Sequence, residues 1–108
     1  MLKDYKSPFK LFLKKAHRPL RLAIEDTTEV ICSNPFVGEA KTGDLAGFYV
    51  YKFKFNAQEY LIAYLPPIKE QFGDAALIDF LTIEFYKAGV HENFYIELKR
   101  YLKERGSP

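Results

Sequence analysis

The stretch "YVYKFKFN", residues 49–56, alternates without a break. Tyr49, Tyr51, Phe53 and Phe55 fall on one side of an extended chain, and Val50, Lys52, Lys54 and Asn56 on the other. Successive side chains of a strand point to opposite faces, so the pattern predicts a half-buried strand with an aromatic core face. Its other face carries two lysines, which either solvate an open sheet or meet an anion.

Working forward, a turn is expected at Asn56-Ala57-Gln58-Glu59, followed by a second strand over Tyr60 to Leu65. That strand, "YLIAYL", is apolar at every position, as expected of a strand buried on both faces and lying at the sheet centre. Pro66-Pro67 stops it, because proline has no N–H for a ladder. "ALIDFLTIEF", residues 76–85, reads as a third strand rich in branched and aromatic side chains. After Ala88-Gly89 a final helix is expected from near Glu92, with Phe94, Leu98, Tyr101 and Leu102 as its apolar face. Its acids Glu92 and Glu97 precede Lys99, Arg100, Lys103 and Arg105, in keeping with the helix dipole, and "ERGSP" reads as a frayed end.

Working backward, "FVGEAKTGDLAG", residues 36–47, has three glycines and little periodicity, and reads as a loop. Before it, Leu20, Ile24, Thr27 and Ile31 mark one face of a helix that Ser33-Asn34-Pro35 ends. Ser7-Pro8 opens an earlier helix, with Phe9, Phe12, Leu13 and Ala16 on one face, running to about Lys15. The two helices are expected to form an antiparallel hairpin, and "LKDYK", residues 2–6, a short edge strand.

With 108 residues, 48 % hydrophobic and 28 % charged, the chain fits a single globular domain over residues 1–108. Aromatics reach 17 %, with no tryptophan, and suit both a core and stacking surfaces. Sixteen basic and fourteen acidic side chains leave a net charge of +2, so distribution matters more than the sum. Bases gather at Lys3, Lys6, Lys10, Lys14, Lys15, Arg18 and Arg21, which describes either a solvated helix face or a cationic stripe. Cys32 is the one cysteine, and no Cys/His spacing resembles a zinc site; neither a metal nor a cofactor is expected. No signal peptide or membrane-spanning apolar run is seen, and a cytoplasmic location is expected.

Ser7, Ser33 and Ser107 lack a nucleophile-elbow context, Cys32 falls at a helix end, and no glycine loop has nucleotide-binding spacing. His17 reads as a turn residue, and Asp74 and Asp79 have no partner pattern for a metal.

The order of elements and two strings, "NPFVGEAKTGDLAGFYVYKFKFNAQEYLIAY" at 34–64 and "AGVHENFYIELKRYL" at 88–102, resemble the RelE/ParE superfamily, the toxins of bacterial type II toxin-antitoxin modules. The resemblance implies an α+β fold: an N-terminal helical hairpin packed on a small curved antiparallel sheet, with a C-terminal helix. It implies growth arrest when an antitoxin is lost. RelE-like members cut messenger RNA on the ribosome, ParE-like members disable DNA gyrase, and fold alone does not choose between them. The expectation is a ribosome-dependent, metal-independent endoribonuclease that arrests translation. The alternatives are a ParE-like toxin that binds gyrase and a non-toxic binding module. The implied partners are a cognate antitoxin, messenger RNA on the ribosome and, in a higher-order toxin-antitoxin complex, operator DNA.

RNA cleavage without a metal needs a base, an acid and cations beside the phosphorane. Lys52 and Lys54 resemble the lysine pair of RelE-like enzymes, and Tyr95 resembles their tyrosine near the last helix. His91 of "HENFY" can exchange protons near neutrality, at the expected mouth of the terminal helix. These four are the candidate catalytic residues. Each also has a plain structural reading, the lysines as a solvated sheet face and Tyr95 as core. Glu92 reads as support for the helix start. RelE-like enzymes commonly carry an arginine where this chain has Leu61, and Lys41, Arg18, Lys87 and Arg100 are the cations available to bind RNA in its place.

Overall fold

The computed structural model describes residues 2–67 and 82–106. Strand β1 (Leu2–Tyr5) leads into helices α1 (Ser7–Lys15) and α2 (Arg18–Ser33). A two-residue strand β2 (Glu39–Ala40) and a 3-10 turn (Gly43–Leu45) precede β3 (Tyr49–Phe55), β4 (Gln58–Leu65), β5 (Thr82–Gly89) and helix α3 (Phe94–Gly106). The sheet order is β1-β5-β4-β3-β2, which places β4 at the centre. All pairings are antiparallel except the edge pair β1 and β5, which run parallel.

Each helix forms where the sequence offers one apolar stripe. Pro8 sits in the first turn of α1, and Phe9 and Leu13 are its buried residues. In α2, Leu20, Ile24, Thr27, Thr28 and Ile31 are buried. The two threonines are accommodated because their hydroxyls donate back to the chain, Thr27 to the Ala23 carbonyl at 2.7 Å and Thr28 to the Glu25 carbonyl at 2.6 Å. Thr28 also accepts a bond from Lys3 Nζ at 3.0 Å, and the same lysine pairs with Glu29, which ties β1 to α2.

Two apolar clusters lie on opposite faces of the sheet. On one face, Phe9, Leu13, Leu20, Ile24 and Ile31 of the helices meet Ile62, Tyr64, Ile83 and Phe85, with the aromatic side of β3 packed against them. On the other face, Phe94 and Leu98 of α3 meet Leu45, Phe48, Val50, Leu61 and Ala63. The apolar run of β4 follows directly: Leu61, Ile62, Ala63 and Tyr64 are each 0 % exposed because both faces are covered.

Five boundaries depart from the sequence reading. The loop over 36–47 contains β2, because Glu39 and Ala40 pair with Val50 and Tyr49. The hairpin turn is tighter than expected and β4 begins at Gln58, since Asn56 (φ 50°) and Ala57 (φ 66°) alone make the reversal. Strand β5 extends to Gly89; residues 76–81 of the expected third strand, with Asp74 and Asp79, lie outside the described residues. The last helix starts at Phe94 instead of Glu92, because Asn93 is left-handed (φ 61°) and closes a turn in which the Phe94 amide donates to the His91 carbonyl at 3.1 Å. That helix also runs through Gly106, so Glu104 to Gly106 are helical and not frayed. A bulge between Ala63 and Tyr64 breaks the β4–β5 register, and Tyr86, facing the extra step, packs edge-on against Phe48 at 4.9 Å.

Candidate functional site

The α3 side of the sheet is where most of the sequence-predicted residues gather. Lys52 lies opposite Leu61, and Lys54 opposite Glu59, both exposed on the face shared with buried Val50. Because Glu39 pairs with Val50, its carboxylate falls on this face too, and the alternation of "EAK" brings Lys41 to the same side. Lys41 Nζ donates to Glu39 Oε1 at 2.6 Å and stands 5.1 Å from the centre of the Tyr95 ring. The Tyr95 ring meets the His91 ring edge-to-face at 5.8 Å. Lys52, Lys41, Tyr95 and His91 therefore line one rim of the sheet, with Glu39 in their midst.

The electrostatics of this rim are those of paired charges. The hydrogen bond from Lys41, and behind it the charges of Lys41 and Lys52, hold the Glu39 carboxyl below its usual range. The same bond to Glu39 raises the Lys41 ammonium, and the neighbouring Tyr95 adds to that. A phosphate approaching Lys41 or Lys52 meets this carboxylate at the same place.

The remaining candidates are elsewhere. Lys87 is drawn under α3, its Nζ 2.9 Å from Glu97 Oε1 and 5.6 Å from the Phe94 ring centre, where it fastens the helix to β5. Arg100 is exposed on α3, two residues after the buried Leu98 and so turned away from the sheet. Arg18 opens α2, in the helical layer on the opposite face from Lys52 and Lys54. His91 sits in the turn before α3, three residues ahead of its first residue, so it is not at the helix mouth.

Leu61, at the position where an arginine was sought, is 0 % exposed and packed with Phe94 and Leu98. The sequence reading missed Glu39, and it read Glu97 only as a helix-dipole residue, without its pairing with Lys87. The signal for Glu39 was present, since a Glu-x-Lys spacing in a strand puts both charges on one face, but reading that segment as a loop concealed it. Among the described residues no group of three His, Cys, Asp or Glu could hold a metal, and no helix is long and apolar enough to cross a membrane.

Comparison with known proteins adds two findings. The family model for the ParE-like toxin of type II bacterial toxin-antitoxin systems matches residues 4–99. A chain of the intact RelBE toxin-antitoxin complex of E. coli superposes with a TM-score of 0.58 at 14 % sequence identity, over 84 % of this chain and 96 % of that one, a likeness of fold. No curated protein matches the sequence.

Proposed function

Because this chain belongs to the ParE-like toxins of type II bacterial toxin-antitoxin systems, we propose that it halts growth by binding a protein target, DNA gyrase, and not by cutting RNA. A cognate antitoxin holds it inactive, a partnership supported by the family and by the likeness to a toxin-antitoxin complex.

The observation that carries this reading is the burial of Leu61 beneath Phe94 and Leu98. An arginine fork is what a nuclease of this fold would aim at the scissile phosphate, and here that position is apolar core, closed over by α3. What is left exposed on the face, Lys52 and Lys54, stands beside Glu39 and across from Glu59, carboxylates that oppose a gathering negative charge. A surface of mixed, solvated charge around aromatic side chains is suited to protein recognition.

The second reading, a ribosome-dependent endoribonuclease acting through Lys52, Lys54, His91 and Tyr95, is favoured by the one rim that gathers Lys52, Tyr95 and His91. One experiment separates the two. The toxin is expressed from an inducible promoter without antitoxin, translated messages are mapped by primer extension, and purified gyrase is assayed for supercoiling in its presence. Gyrase inhibition with intact messages is the expected result. New 5′ ends within codons, lost in Lys52→Ala/Lys54→Ala, would overturn it in favour of the nuclease.

A further inference from the structure

Among the described residues, most paired lysines fasten one element to another. Lys3 of β1 pairs with Glu29 of α2, Lys6 with Asp4 and with Glu84 of β5, and Lys87 of β5 with Glu97 of α3. Lys41 and Glu39 stand only two residues apart, so their pair joins nothing that the chain does not already hold. The backbone fixes both residues without it: Glu39 lies opposite Val50 in the sheet, and the Lys41 amide donates to the Phe48 carbonyl at 2.9 Å. A largely exposed pair of this kind adds little to stability.

What the pair does change is the charge of the rim. The Glu39 side chain is 67 % exposed and that of Lys41 only 22 %, so the carboxylate is the member of the pair that solvent and any ligand meet first. The Lys41 ammonium, 2.6 Å from Glu39 Oε1, has the centre of the Tyr95 ring 5.1 Å away. Lys52 is on the same face, one diagonal step across the strands from Glu39, a separation that long side chains span. The hydrogen bond from Lys41, joined by the charges of Lys41 and Lys52, keeps Glu39 ionised. One carboxylate thus serves two cations.

We propose that Glu39 is a specificity residue: it acts as the rim's own counter-anion and keeps single-stranded RNA from seating a phosphate between Lys41 and Lys52. A phosphate needs the same donors that the carboxylate already holds, and like charges brought to one place repel, so the acid discriminates against a polyanion. A protein surface, which offers uncharged and cationic groups as well as acids, meets no such penalty. Glu39 in this role rests on the reading of the rim as a protein-binding surface.

The test is fluorescence anisotropy of the full chain with a labelled single-stranded RNA across a salt series. Glu39→Gln keeps the size and a hydrogen-bonding oxygen but removes the charge, and is expected to bind about tenfold more tightly than wild type at about 50 mM salt. With Lys41 and Lys52 both released to phosphate, the slope of log affinity against log salt steepens by about 1.4, so the gain shrinks about sevenfold by about 200 mM. Glu39→Asp retains the charge and stays at the wild-type affinity. Glu104→Gln, the same change in net charge at an exposed position of α3, stays within about twofold of wild type. Adding Lys41→Ala/Lys52→Ala to Glu39→Gln removes the gain. Equal affinity of wild type and Glu39→Gln at low salt, an equal gain in Glu104→Gln, or a gain that survives the loss of both lysines would overturn the proposal. The urea midpoint of Glu39→Gln is expected to match wild type, and an unfolded variant would overturn it too, by giving the pair a structural role. Gyrase supercoiling is not part of the readout, so failure here and failure of the gyrase reading are distinguishable.

Discussion

The Tyr64 hydroxyl, on a ring that is 0 % exposed at the sheet centre, accepts a hydrogen bond from the Gly38 amide at 3.0 Å. This bond fixes the chain as it leaves α2 and enters β2. Burial raises the Tyr64 hydroxyl above its usual titration range, so it stays protonated and neutral. The approach is so close that a Cβ on residue 38 would lie 2.9 Å from the hydroxyl oxygen and 3.0 Å from the Val50 backbone. Gly38→Ala is therefore expected to destabilise by about 1–3 kcal/mol, as overpacking does. Tyr64→Phe is expected to cost about 1–3 kcal/mol through the amide left without a partner. Urea unfolding of each variant measures both.

Restoring the arginine sought by analogy should harm the protein and not activate it. Leu61→Arg places a charge beneath Phe94 and Leu98, where it has no partner, and is expected to unfold α3 or the whole chain. Leu61→Ala is expected to cost about 2–5 kcal/mol as a core truncation. Thermal unfolding ranks the two. A stable Leu61→Arg protein with new ribonuclease activity would show that α3 is readily displaced.

Ala57 adopts φ 66°, a conformation that its Cβ disfavours by about 1–2 kcal/mol. Ala57→Gly makes the turn Asn-Gly, the pairing that two-residue hairpins prefer. Part of the gain is lost to the greater freedom of glycine in the unfolded chain, leaving an expected stabilisation of about 0.5–1 kcal/mol. A higher urea midpoint at unchanged slope would be the result.

Lys52→Ala/Lys54→Ala is expected to change stability by no more than about 0.5 kcal/mol, since both side chains are exposed. On the gyrase reading, messages in cells expressing wild type or variant remain uncut, as primer extension would record.

Acidification is expected to loosen α3. The hydrogen bond and charge of Lys87 hold the Glu97 carboxyl below its usual range. A depressed carboxyl contributes stability above its unfolded pKa, about 4.3, and that contribution is lost as pH falls through the lower folded value. Because Glu97 is largely exposed, solvent keeps the effect small. Hydrogen exchange of α3 amides should therefore quicken modestly between about pH 5 and about pH 3 relative to the sheet, and Glu97→Gln should abolish that difference.

Much of the fold was legible because local chemistry and packing agreed. The alternation of residues 49–55 and the uniformly apolar run at 60–65 can be satisfied only by a half-covered strand beside one covered on both faces, and β3 and β4 are those strands. The stripes of α1 and α2 likewise require a partner layer. Less was legible where a backbone state or a distant partner decides. Asn93 moved the start of α3, and the two-residue β2 exists only because β3 supplies its hydrogen bonds.

The sequence by itself determined which side chains share a face: Lys52 with Lys54, Glu39 with Lys41, the stripes of each helix. Those relations follow from backbone periods that any folded chain must obey. Only the tertiary structure decided what each face meets. It set Leu61 under α3, Lys87 against Glu97, and Arg18 on the opposite layer from Lys52. Such contacts join residues far apart in the chain, and they are chosen by the packing of whole elements, which no local period encodes.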